Sequence, residues 1–152
     1  MKLSITVQNT IDSPDVPDRF TLKRWISEAL EGHCEHAEVC IRIVGTDESS
    51  KLNYEYRHKP TPTNILSFPI ESFDDVEITD PYLGDLVICP DVLKTEAQEC
   101  NVSLHEHWAH IVVHGVLHLL GYDHITDEEA EEMEFQEIEI LDRLGFANPY
   151  QE

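Results

Sequence analysis

The sequence predicts an α+β fold, a small mixed four-stranded sheet packed against about five helices. Three observations carry that expectation. Apolar and polar residues alternate at residues 2–9 and again at 37–44, as in half-buried strands. Amphipathic stretches with a period of about 3.6 residues gather after residue 90. The resulting order, β-α-β-α-β-β-α-α-α, ends in too many successive helices for a regularly alternating parallel sheet.

Each element has its own signals. Residues 2–9 form the first strand. Pro14 and Pro17 open a helix that runs to about Glu31, with Phe20, Ile26, Ala29 and Leu30 as its apolar stripe and Gly32 as its stop. Residues 37–44 form the second strand, ended by Gly45, and a short helix follows from Asp47 to Tyr56. Lys59-Pro60-Thr61-Pro62-Thr63 must be a loop, because each proline restricts itself and its predecessor. Residues 64–70 form the third strand, the acidic stretch 71–82 an exposed loop or hairpin tip, and residues 84–89 the fourth strand.

Three helices complete the pattern. The first runs from about Asp91 to Asn101. The second carries a capping box, Ser103 with Glu106 three residues on, and stays apolar to Leu120 before Gly121 stops it. The third repeats the device with Thr126 and Glu129. Its stripe is Ala130, Met133, Glu137/Ile138, Leu141 and Leu144, and Gly145 closes it.

The length of 152 residues suits one domain, residues 1–152, with one core. A hydrophobic fraction of 41% is that of a globular protein rather than a disordered one. No apolar run is long enough to span a bilayer. Met1 to Val7 alternates like a strand instead of forming an apolar leader, so the cytosol is the expected location. Cys34, Cys40, Cys89 and Cys100 form no C-x-x-C pair and are expected as free thiols.

The net charge of −21 argues by itself against a nucleic-acid partner, since phosphate neutralisation needs cations. The acid is concentrated, however, in Asp123–Asp142 and Glu71–Asp80. Lys51, Arg57 and Lys59 lie close together elsewhere.

The most informative segment is His114-Gly115-Val116-Leu117-His118-Leu119-Leu120-Gly121-Tyr122-Asp123-His124. Histidines four apart on a helix share a face and can reach one ion. Gly121 can adopt the left-handed conformation that turns the chain and delivers His124 as a third ligand. Three protein ligands on a tetrahedral ion leave one open position, which is the catalytic rather than the structural arrangement. One zinc per chain is expected, although three histidines suit nickel, copper or iron as well. His110 is the competing ligand, but it lies too far along the helix to join all three. With His105 and His107 it is expected to serve in packing, beside the ligands or on the surface. The spacing resembles that of the metzincin proteases, H-E-x-x-H-x-x-G-x-x-H, but Gly115 stands where their general-base Glu would be.

The segment from Tyr56 to Pro69 gathers Arg57, His58, Lys59 and several hydroxyls in an otherwise acidic chain. An arginine fork can bind phosphate oxygens bidentately and stabilise charge that develops on them. Asp85 is a candidate for orienting a ligand. Asp123 is a candidate for steering the ligand loop or accepting a hydrogen bond from a metal-bound imidazole.

Taken together, H-G-x-L-H-L-x-G-Y-D-H at His114–His124, Tyr56-Arg57, Pro62 to Pro69 and Gly84 to Pro90 resemble the motifs of the YbeY family of bacterial endoribonucleases. The resemblance covers essentially the whole chain. It implies that His114, His118 and His124 hold zinc and that Arg57 sits by the metal and acts on the RNA phosphate. It further implies single-strand-specific cleavage in 16S rRNA 3′-end maturation and ribosome quality control. One departure is visible, since Pro60-Thr61 stands where the family usually has an acid, and the loop is expected to be stiffer. The acidic helix 126–144 is expected to face basic small-subunit ribosomal proteins. A metallopeptidase-like hydrolase, and a non-enzymatic ribosome-assembly factor with a structural zinc, remain the competing functions.

Overall fold

The computed structural model describes residues 2–70 and 81–150. The elements occur in the expected order: β1 (Lys2–Asn9), α1 (Arg19–Leu30), β2 (His36–Ile43), α2 (Thr46–Arg57), β3 (Ile65–Pro69), β4 (Tyr82–Ile88), α3 (Pro90–Cys100), α4 (Leu104–Leu119) and α5 (Asp127–Arg143). The fold is α+β, with five helices on a four-stranded mixed sheet.

The strands lie in the order β1-β2-β4-β3. β1, β2 and β4 run parallel, and β3 pairs antiparallel with β4 from Ile65 opposite Ile88 to Pro69 opposite Gly84. The acidic loop or hairpin tip expected at 71–82 falls largely outside the described residues, while Tyr82 belongs to β4.

The main core lies between one sheet face and helices α1 and α4. Ile5, Val39, Ile41, Leu86 and Ile88 from the strands meet Leu22, Trp25 and Ile26 of α1 and Val112, Val116 and Leu117 of α4. A smaller cluster of Val44, Leu66, Val87 and Cys89 fills the opposite face with Leu52 of α2. α4 is the hub, packed against α1, α3, α5 and both β3 and β4. Its apolar surface is broad, as burial on several sides requires, and leaves one stripe of His107, His110, His114 and His118.

The first helix begins later than the prolines suggest. Asp18 is its N-cap, accepting from the Thr21 amide at 2.8 Å, and residues 14–17 precede it. Phe20 is not part of its buried stripe but 79% exposed, and Leu22 and Trp25 take its place. The buried face is thus rotated, because α1 is held between the sheet and α4 and Trp25 stacks on His105. The other helix limits shift by one or two residues. Ser103 and Thr126 cap α4 and α5 as expected, accepting from the amides of Glu106 and Glu129 at 3.1 Å each. All four cysteines are free.

Two glycines mark tight packing. A Cβ on Gly115 would lie 2.4 Å from Ile65 Cδ1 and 3.0 Å from Leu86 Cδ2, so α4 approaches the sheet here as only glycine allows. Gly84 has φ +145°, and a Cβ there would lie 2.3 Å from the Phe68 carbonyl oxygen.

Candidate metal centre

The site forms where α4 ends, α5 crosses it and β3 forms the edge of the sheet. His114 and His118 sit one helical turn apart on α4, on the side left open by the sheet. Beyond them Leu120 still has helical angles, and Gly121 turns the chain with φ +100°. The Gly121 amide donates to His118 O and the Tyr122 amide to Leu117 O, both at 3.0 Å, a Schellman-type ending that satisfies the last carbonyls. This turn brings His124 back over the helix. One ligand atom from each of the three histidines lies within 4.8 Å of the others, a geometry positioned to hold a metal ion.

Hydrogen bonds on the far sides of the rings set their tautomers. His114 Nδ1 lies 2.5 Å from Glu137 Oε1, and His118 Nδ1 lies 3.0 Å from the Tyr122 carbonyl. Both partners are acceptors, so each Nδ1 carries the proton. The two Nε2 atoms then present lone pairs to each other at 3.1 Å. Two acceptors cannot bond at that distance; a cation between them resolves the conflict. Tetrahedral ligation with metal–nitrogen bonds of about 2.0–2.1 Å places ligating nitrogens about 3.3 Å apart. The residues present therefore fit a metal ion, and their nitrogen donors suit zinc among others. Burial, followed by the charges of His114 and His124, lowers the His118 pKa to about 4 and keeps the ring neutral, as ligation requires.

Glu137, which the sequence predicts on the α5 stripe with no chemical role, bonds to His114. It is fully buried. Its Oε2 accepts from the Tyr150 hydroxyl and lies 3.4 Å from His110 Nε2. Burial pushes its pKa up, but the hydrogen bonds from His110, His114 and Tyr150 prevail and hold it at about 2. The spacing Met133, Glu137, Leu141 was the available signal, a carboxylate on a buried stripe.

Other expected residues fall as follows. Arg57, the last residue of α2, lines the same cleft of about 400 Å³ as the three histidines. It makes no ion pair among the described residues. The loop after it is pinned to α2: Ser49 Oγ donates to Thr63 O at 3.0 Å and Asn53 Nδ2 to Thr61 O at 2.8 Å. Asn64 follows into the cleft, its amide donating to Glu96 Oε1 at 3.2 Å. Asp85 does not reach the cleft. It follows Gly84 and precedes Leu86, both of which face α4, so it projects from the other face of the sheet, where the Tyr82 hydroxyl donates to it. Asp123 Oδ1 accepts from the His124 amide at 2.8 Å and lies 3.9 Å from His124 Nδ1. It shapes the ligand turn, while Glu137 holds the His114 imidazole. His105 packs between Trp25 and Phe146, and His107 Nε2 lies 3.0 Å from Glu96 Oε1.

The family model for endoribonuclease YbeY matches residues 6–145. The chain belongs to the YbeY endoribonuclease family. Its fold is also similar to the solution structure of the Thermotoga maritima protein TM1509, at 24% identity over 99% of both chains with a TM-score of 0.58. YbeY membership supports an endoribonuclease acting in rRNA processing, a hydrolase of phosphodiester bonds. The YbeY match ends before Tyr150, the residue that completes the Glu137 hydrogen bonds. No helix among the described residues is long and apolar enough to cross a membrane.

Proposed function

We propose that this chain is a zinc-dependent endoribonuclease, specific for single strands, that acts in 16S rRNA 3′-end maturation and ribosome quality control. The observation that carries the proposal is the shared cleft, lined by three imidazoles poised around one point and by a guanidinium that makes no ion pair among the described residues. His114, His118 and His124 would hold the ion, one per chain. When bound, zinc supplies Lewis acidity to a phosphate oxygen and makes water acidic enough to ionise near neutral pH.

The chain's own residues do the rest. Arg57 binds non-bridging phosphate oxygens with its planar fork and stabilises the negative charge that develops as the phosphorus gains an oxygen. Its place at the end of α2, above a loop pinned by Ser49 and Asn53, limits the freedom it loses on binding RNA. Glu137 and the Tyr122 carbonyl fix two imidazoles before any ligand arrives. Gly115 leaves no carboxylate beside the first histidine in sequence, and a Cβ there would run into Ile65 and Leu86. This disfavours peptide hydrolysis of the metzincin kind.

The same proposal takes residues 1–152 as one cytosolic domain. It also addresses the charge. A net charge of −21 repels free RNA from most of the surface, so the acidic exposed face of α5 meets basic proteins of the small ribosomal subunit and delivers the cleft to its strand.

The test is cleavage of a single-stranded rRNA fragment by the wild type, His114→Ala and Arg57→Ala, with metal content measured for each. Loss of cleavage in both variants, with metal lost only from His114→Ala, supports the proposal. Equal cleavage by all three would mean that the activity comes from a contaminant. Full cell function of Arg57→Ala with its metal retained would favour an assembly factor over an enzyme.

A further inference from the structure

Residues 146–150 lie beyond the family-matched part of the chain, yet they reach the metal centre. Phe146 anchors them. Its amide donates to Leu141 O at 2.8 Å, and its ring packs on Trp25 and His105 with centroids 6.1 and 5.7 Å away. Asn148 then turns the chain by accepting from the Tyr150 amide at 2.8 Å. The Tyr150 ring crosses the edge of His110 at 5.5 Å and 86°, and its hydroxyl donates to Glu137 Oε2 while the ring lines the cleft.

Glu137 Oε1 accepts from His114 Nδ1 and so keeps the ring's proton away from Nε2. A buried carboxylate is costly as an anion unless its oxygens are bonded. Among the described residues Oε1 meets His114, and Oε2 meets the Tyr150 hydroxyl and, at 3.4 Å, His110. Without the hydroxyl, Oε2 loses its nearest partner and Glu137 is free to turn from His114, whose proton is then no longer held on Nδ1 and away from Nε2, the atom that must ligate.

We infer that Tyr150 is a positioning residue for metal binding. Its hydroxyl holds Glu137 Oε2, so that Oε1 stays aimed at His114 Nδ1 and His114 Nε2 faces the ion. The inference rests on the metal reading above, applied to a residue that the family match does not cover.

Tyr150→Phe removes the hydroxyl and keeps the ring on His110. Zinc affinity is measured by competition with a chromophoric chelator, together with the melting temperature of the metal-free protein and the ¹⁵N signals of the His114 ring. Zinc affinity should fall at least about tenfold, the usual scale for a lost partner of a ligand. The metal-free melting temperature should fall by less than that of the zinc-bound protein. The metal-free variant should lose the population with the proton on Nδ1 of His114. Wild-type affinity in Tyr150→Phe would overturn the inference. So would a weaker affinity that comes with an equally weakened metal-free fold and an unchanged His114 tautomer. If the wild type itself binds no zinc, the metal reading fails instead, and the two failures are told apart by that first titration.

Discussion

Replacing Glu137 with Gln tests how much the buried carboxylate does for the ligand it holds. Glutamine has nearly the same shape, so packing against Met133 and Leu141 is kept. Its carbonyl can still accept from His114 Nδ1, but the bond is no longer charge-assisted, and its amide must face the Tyr150 hydroxyl and His110. Loss of an outer partner of a ligating histidine weakens metal binding about 10–100-fold. That corresponds to about 1.4–2.8 kcal/mol. The fold without metal should change less, because removing a buried charge while keeping its neighbours hydrogen-bonded is close to neutral. Thermal unfolding with and without saturating zinc separates the two effects, since the ligand-linked stabilisation shrinks by about 1.4 kcal/mol for each tenfold loss of affinity. Zinc affinity within twofold of the wild type would refute the reasoning, whatever happened to the fold.

Three further outcomes are expected. Arg57→Ala should retain its metal and lower RNA cleavage about 10²–10³-fold, the scale for one group that stabilises developing charge, and a loss of metal in this variant would show the arginine to be structural. Gly84→Ala should destabilise the protein by at least about 2 kcal/mol in a denaturant titration, because the new methyl meets the Phe68 carbonyl and φ is +145°. Stability of the metal-free protein should fall as pH drops from about 6.5 toward 4, because His118 takes a proton more readily unfolded than folded. Its contribution is present above the unfolded value and lost through the folded one, and His118→Asn should flatten that part of the profile.

The histidine cluster could be read from the sequence because its geometry is local. A four-residue helical spacing and a helix-ending glycine determine where His114, His118 and His124 can point. Arg57 was singled out as a cation in an acidic chain, but only the edge position of β3 and the pinned loop bring it to the histidines. Glu137 resisted assignment because it lies within a run of carboxylates that mostly face solvent, and only the crossing of α5 over α4 makes one of them buried. Phe20 misled for the converse reason, since an aromatic ring at a helical spacing does not reveal which face the neighbouring helix covers. The face that Asp85 takes could not be read because strand alternation decides it, and that depends on which side of Gly84 packs against Leu119. Tyr150 carries no pattern at all, and its role arises from the fold of residues 146–150 against α4.

The most direct measurement is a stepwise zinc titration of protein stripped of metal, following bound zinc and cleavage of a single-stranded rRNA fragment in the same samples. Cleavage should be absent at the start, rise in proportion to bound zinc and level off at one ion per chain. Full cleavage by the stripped protein, or cleavage that does not follow occupancy, would contradict a metal-dependent nuclease centred on His114, His118 and His124.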